Sequence, residues 1–384
     1  MSGTIRTYED INTRIRQGDA VVVTAEELVG LVAKRGVQDV AQEVDAVTTA
    51  TFSPMCSSGV ILNFGHSDPP IRMQETRLND VPAYGGLAAV DTYLGATSVS
   101  ATRQEYGGAH VIEGLLRGEQ VRLAATSGGT DCYPLRDIKT RITLASINEA
   151  ILFNPRNGYQ NYSAATNTTS RSINTYMGTL LPNKGNVTYA TSGQLSPLLK
   201  DPTFRSIGLG TRIFLGGAQG HVVWHGTQHV PSSREVQGQR IFGGGTLATM
   251  GNLKEMSPEY LRAAYFPGYG VTLYVGLGLP IPLLDEAMVA AAAVPDSQLY
   301  TQIVDYGVPR RDRPALSVVS YAELRSGSVR LEGADIPTSS LSSYAKAREI
   351  AERLRDDMLA GTFLLQQPAW TLPTAGVRNT LEIR

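Results

Sequence analysis

Hydrophobic positions in the first sixty residues switch between two periods. After Thr7, Ile11 and Ile15 recur at helical spacing and the run stops at Gly18, which predicts a short N-capped helix. Ala20 to Val23 is a continuous apolar run typical of a buried strand. Thr24 followed by Glu27 reads as a capping box. Leu28, Leu31 and Val32 then form one helical face, which ends after Lys34 and Arg35 at Gly36. A second β-prone run, Val44 to Phe52, completes a strand, helix, strand unit with Cys56 just past its end. In open α/β sheets, ligand sites collect at the carboxyl ends of strands, so this position suits a reactive group.

Beyond this unit the pattern loosens. Residues 85–130 carry the glycine pairs Gly85-Gly86, Gly107-Gly108 and Gly128-Gly129, and a β-like run from Arg122 to Thr126 leads into Cys132. Residues 154–197 are rich in Asn, Thr, Ser and Gly without a clear period, compatible with one long loop or several short strands. Residues 207–252 alternate glycine clusters with β-branched runs; Val271 to Leu279 reads as a strand and Leu283 to Val294 as an alanine-rich helix. The clearest helix lies near the C-terminus. There Tyr344, Ala347, Ile350, Ala351, Leu354 and Met358 recur behind a serine cluster and before Gly361, with Arg348, Glu352, Arg353 and Asp356 on the outer face. The pattern predicts an α/β fold, with a mixed α+β arrangement as the alternative: an N-terminal strand-helix-strand unit, a glycine-rich β-containing middle and a C-terminal amphipathic helix. With no fixed-period repeat and no linker, residues 1–384 read as a single region; two subdomains of about 1–150 and 151–384 are the other division.

Charge narrows the function classes. Lys plus Arg (34) nearly cancels Asp plus Glu (35) in 384 residues, so the chain lacks the large field that draws nucleic acid or anionic membrane. Its longest apolar run is the eight residues from Ala287 to Val294, far short of the ~20 needed to span a bilayer. The N-terminus mixes charges throughout and has no secretory pattern. These features predict a cytoplasmic protein acting on small molecules, with no nucleic-acid or membrane partner; homo-oligomerisation stays open. Two cysteines are too few for a disulfide scaffold, and too few thiolates to hold a cubane iron–sulfur cluster.

Each cysteine sits in a turn-forming segment. Cys56 lies in Ser53-Pro54-Met55-Cys56-Ser57-Ser58-Gly59, where small polar neighbours allow backbone N–H groups to face the sulfur. The blander reading is a buried small hydrophobe. Cys132 lies in Thr130-Asp131-Cys132-Tyr133-Pro134, with Arg136 and Lys139 following; these cations suit a thiolate or a substrate carboxylate, whereas Asp131 opposes a thiolate. A structural turn is the competing reading. His221, His225 and His229 recur every four residues, but Val222-Val223-Trp224 disfavours helix. On a strand, neighbouring histidines would stand about 13 Å apart, too far for one ion. No metal or cofactor is expected on this chain, and His225 or His229 remains a candidate for proton transfer or substrate binding.

Several segments together resemble the homocysteine biosynthesis protein family, the L-aspartate semialdehyde sulfurtransferases. They are Pro54-Met55-Cys56-Ser57-Ser58-Gly59, Gly107-Gly108-Ala109-His110-Val111-Ile112-Glu113, Thr130-Asp131-Cys132-Tyr133-Pro134, Gly226-Thr227-Gln228-His229 and Ser339-Ser340-Leu341-Ser342-Ser343-Tyr344. The resemblance covers nearly the whole chain, and no CBS or ferredoxin module is expected within it. It implies formation of homocysteine from L-aspartate semialdehyde and a sulfide equivalent, with Cys56 as the persulfide site and Cys132 as the second cysteine. An aldehyde carbon is two electrons above a thiol carbon, so a reduced ferredoxin-type iron–sulfur partner is expected as donor. Within this scheme Asp131 or His229 handles protons, Ser57 and Ser58 flank the substrate, and Arg136 or Lys139 anchors its carboxylate. Cys56 and Cys132 are expected to share one pocket. The alternatives are a persulfide carrier serving another enzyme and a non-catalytic ligand-binding protein.

Overall fold

A computed structural model describes residues 6–158, 161–243, 245–376, 379 and 381–382. Local chemistry sets the first elements. Thr7 caps α1 (Tyr8–Gln17) through a capping box with Asp10, and Gly18 closes it in the left-handed conformation. Strand β1 (Val22–Thr24) passes directly into α2 (Ala25–Arg35), where Thr24 and Glu27 form the second capping box. A further helix, α3 (Val37–Glu43), precedes β2 (Ala46–Pro54), which runs parallel to β1. The sequence pattern did not reveal α3, because seven residues give only two buried positions.

The main further elements follow in chain order: β3 (Gly59–Asn63), β4 (Glu75–Leu78), β5 (Val81–Tyr84), β6 (Asp91–Gly95), α4 (Gly108–Leu116), β7 (Val121–Thr126), β8 (Asp137–Ile142) and β9 (Glu149–Asn154). Next come β10 (Ala164–Thr166), β11 (Val187–Tyr189), β12 (Arg212–Leu215), β13 (Ala218–Trp224), β14 (Ala248–Asn252), β15 (Leu261–Phe266) and β16 (Gly270–Pro282). The last are α5 (Glu286–Ala292), β17 (Tyr300–Asp305), β18 (Ala315–Ser320), β19 (Ser328–Leu331), β20 (Ala334–Ser340) and α6 (Tyr344–Leu359). Two sheets dominate. The larger runs β1-β2-β16-β12-β13-β14-β9-β3-β6-β5-β4-β7-β8, with β15 also paired to β16; the smaller runs β18-β17-β10-β11-β20-β19. Parallel and antiparallel pairs coexist, and the architecture is α/β of mixed type. The larger sheet draws β12, β13, β14, β15 and β16 from beyond residue 150. Among the described residues, no helix is long and apolar enough to cross a membrane.

The larger sheet curls. β2 and β3 are six strand spacings apart along its path, about 29 Å if it were flat, yet residues 55–58 join them and the step from Pro54 to Gly59 reaches roughly 18 Å at most. β2 and β3 therefore approach each other, and the Cys56 turn bridges the gap between them. Helix α4 fills the neighbouring space. A Cβ on Gly108 would overlap the Gly95 carbonyl, so this glycine permits the helix to seat on β6. Glu113 on the same helix accepts the Ala263 N–H of β15 at 2.8 Å. The Gly107–Glu113 motif is thus explained by packing.

Candidate active site

Cys56 is held from both sides of its turn. The Met55 N–H bonds the Leu273 carbonyl of β16, the Ser58 N–H bonds the Met55 carbonyl, and the Ser58 carbonyl accepts the Ala96 N–H. Gly59 is required because the Tyr93 ring occupies the space a Cβ would need. The thiol is free and half-buried.

The loop after β9 aims donors at this sulfur. Asn154 Oδ1 accepts the N–H groups of Arg156 (3.0 Å) and Asn157 (2.8 Å), while its Nδ2 donates to Ser58 Oγ (2.9 Å) and Asn157 Oδ1 (2.8 Å). That fixes the Asn157 amide, whose Nδ2 points at Cys56 Sγ from 3.7 Å. The Tyr269 hydroxyl also bonds Cys56. Tyr269 stands at the tip of the β15–β16 hairpin, where its N–H bonds the Phe266 carbonyl and Gly268 takes φ of 71°. Two neutral donors converging on one sulfur suit an anionic thiolate or persulfide.

Cys56 opens on a small pocket, partly open to solvent and lined by Pro54, Tyr162, Tyr176, Met177, Ala190, Phe266, Tyr269 and Thr272. Tyr162 and Tyr176 have ring centroids 5.3 Å apart, and the Tyr176 hydroxyl lies 2.9 Å from that of Tyr306. Burial first, then negative charge on Cys56, raises the Tyr162 pKa; the same causes push Tyr269 up to about 12. Both phenols therefore remain protonated donors at neutral pH.

The other expected site residues lie elsewhere. Cys132 is exposed in a turn closed by mutual Thr130 and Tyr133 backbone bonds. Tyr133 stacks on His66 at 6.2 Å, three residues beyond the far end of β3, whereas Cys56 precedes its near end. The strand alone is about 13 Å long, so the expected shared pocket is not formed, and a disulfide needs Cα atoms within ~7 Å. Asp131, Arg136 and Lys139 are exposed with Cys132 and do not line the Cys56 cavity. Of the two serines, Ser58 is buried and bonded to Asn154, while Ser57 is half-buried beside Cys56.

His229 is also corrected. Its Nδ1 accepts the Thr246 N–H at 3.1 Å, leaving Nε2 to donate to the Pro373 carbonyl at 3.1 Å. Burial lowers its pKa. With both nitrogens engaged by backbone, it braces the fold rather than moving protons. His225 lies 5.5 Å from it, ring to ring. Among the described residues, no three His, Cys, Asp or Glu side chains cluster as a metal site.

Asn157, Tyr269 and Arg156 were missed. Their signals were turn chemistry: Asn-Pro-Arg-Asn-Gly after a strand and Phe-Pro-Gly-Tyr-Gly between two.

Residues 20–365 match the model of a family described as homocysteine biosynthesis enzyme, sulfur-incorporation. The chain is 55% identical over 378 residues to the L-aspartate semialdehyde sulfurtransferase of Methanosarcina acetivorans, covering 98% of this chain and 74% of that protein. It is 49% identical over 387 residues to the protein of the same name from Methanocaldococcus jannaschii, covering 97% and 74%. An uncharacterised protein of Methanothermobacter thermautotrophicus is 28% identical over 336 residues, covering 85% and 73%. No solved structure matches.

Proposed function

The chain belongs to the family of homocysteine biosynthesis enzymes that incorporate sulfur, and from this premise we propose that it converts L-aspartate semialdehyde to L-homocysteine in the cytoplasm. One aldehyde, one H₂S, two electrons and two protons give one thiol and one water. The electrons come from a reduced ferredoxin-type iron–sulfur partner. Sulfur rides on Cys56: sulfide opens a disulfide between Cys56 and a second thiol, giving a Cys56 persulfide and the freed thiol, and the terminal sulfur of the persulfide attacks the aldehyde carbon. The freed thiol then closes on Cys56, re-forming the disulfide and releasing the carbon-bound sulfur. Loss of water leaves a thiocarbonyl, which the two electrons and two protons reduce to the thiol. Asn157 holds the anionic sulfur, and Tyr269 donates a proton to the oxygen as it gains charge. Cys132 as the closing thiol requires its 127–136 turn to move toward Cys56.

One observation carries this reading: Cys56 faces a phenol-lined cavity with two donors on its sulfur. A carrier serving another enzyme would need no such cavity. Purified protein given aspartate semialdehyde, sulfide and a reduced iron–sulfur donor should form homocysteine, and Cys56→Ala should form none. Homocysteine formation at the full rate by Cys56→Ala would overturn the persulfide scheme.

A further inference from the structure

Beside the Cys56 cavity, though not in its lining, stands a half-buried arginine with no ion-pair partner among the described residues. Arg156 immediately precedes Asn157, whose amide touches the sulfur. Its guanidinium acts electrostatically on the hydroxyls of Tyr162 and Tyr269, two walls of the cavity. Its Nε is buried and has no hydrogen-bond partner among the described residues. No carboxylate pairs with it there either. A donor nitrogen buried without an acceptor costs stability. A second unpartnered donor stands nearby: Thr272 lines the cavity at 1% exposure, and its Oγ1 has no partner among the described residues.

The backbone around Arg156 is pinned. Its N–H bonds Asn154, the Pro155 carbonyl accepts the Thr227 N–H at 3.1 Å, and the Gly158 N–H bonds the Leu247 carbonyl at 2.9 Å. Gly226, with φ of 72°, lets the Arg156 carbonyl approach; a Cβ there would lie 2.6 Å from it. A loop fixed at so many points presents its cation in one place.

We propose that Arg156 is the anion-binding residue of the Cys56 cavity, taking the carboxylate of a small substrate, with the Thr272 hydroxyl as a second donor. For an amino-acid aldehyde the α-carboxylate is the fixed anion, and a planar guanidinium matches it in charge and shape. The assignment replaces Arg136 and Lys139 as carboxylate anchors and rests on reading the Cys56 cavity as the substrate site.

Alkylation tests it without requiring turnover. In a Cys132→Ala chain, Cys56 is the one thiol, and iodoacetate and iodoacetamide differ in the charge that Arg156 would read. Arg156→Gln should slow iodoacetate about tenfold or more relative to iodoacetamide, the scale of a lost charge-assisted hydrogen bond, and Thr272→Val should shift the ratio less, in the same direction. Equal slowing of both reagents, or an unchanged ratio, would overturn the assignment. A second arm keeps Arg156 in place, should the variant fail to fold. L-homoserine should protect Cys56 from iodoacetamide, and the amino alcohol left on removing its carboxylate should not; equal protection, or none from either, counts against the proposal. Because no step needs sulfur transfer, failure of carboxylate recognition and failure of homocysteine formation remain separately visible.

Discussion

At the residue scale the site is defined by what touches one sulfur. Asn157 is fixed by Asn154 before it can reach Cys56, so removing its amide should weaken support for the anion without disturbing the fold broadly. In the Cys132→Ala background, Asn157→Ala should slow iodoacetamide alkylation of Cys56 about tenfold, as expected for a hydrogen bond to a charged group; an unchanged rate would remove Asn157 from the site. His229 gives the opposite expectation. Its ring occupies the Thr246 N–H and the Pro373 carbonyl at 5% exposure. His229→Ala should therefore lower unfolding free energy by ~2–3 kcal/mol in denaturant titration while leaving Cys56 alkylation unaltered.

At the scale of elements, the turn at Gly226-Thr227 supports the Arg156 loop from behind, although it carries no chemistry itself. Gly226→Ala should destabilise the fold by about 1–2 kcal/mol for the left-handed backbone alone. It should also displace Arg156 and erase the preference for a carboxylate reagent at Cys56; retention of that preference in a folded variant would separate the turn from the site. Elements with strong periodicity or caps were legible in the sequence. Thr7, Thr24 and the serine at position 343 cap helices as expected, and Cys56 follows the second strand of the N-terminal unit. Residues 164–189 gave no period because their strands are three residues long. Helix α4 was hidden by glycines that serve close packing. The partners of Cys56 come from loops about 100 and 210 residues away in sequence, and no spacing rule joins them. Arg136 and Lys139 lie outside the lining of the Cys56 pocket.

At the scale of the whole molecule, Lys200 links stability to pH. It is 1% exposed and its ammonium donates to the Val294 carbonyl at 2.5 Å; burial lowers its pKa from 10.5 to about 7, with Asp296 opposing. Between those two values the unfolded chain binds the extra proton and the folded chain does not, so this group makes stability rise with pH across that window. Melting temperature should climb from pH 7 to 9, and Lys200→Met should flatten the slope; an equal slope in both would show that Lys200 is not the group responsible. The larger account is that the curled sheet brings β2 and β3 together at the Cys56 turn, where one sulfur both receives and delivers. The most direct measurement is a single turnover of protein whose Cys56 starts as a disulfide, given isotopically labelled sulfide and followed by peptide mass spectrometry. The account predicts label on the Cys56 peptide as one added sulfur, then its loss on addition of aspartate semialdehyde and reductant, with labelled homocysteine appearing in equal amount. Label confined to the Cys132 peptide, or label on Cys56 that the aldehyde does not discharge, would contradict it.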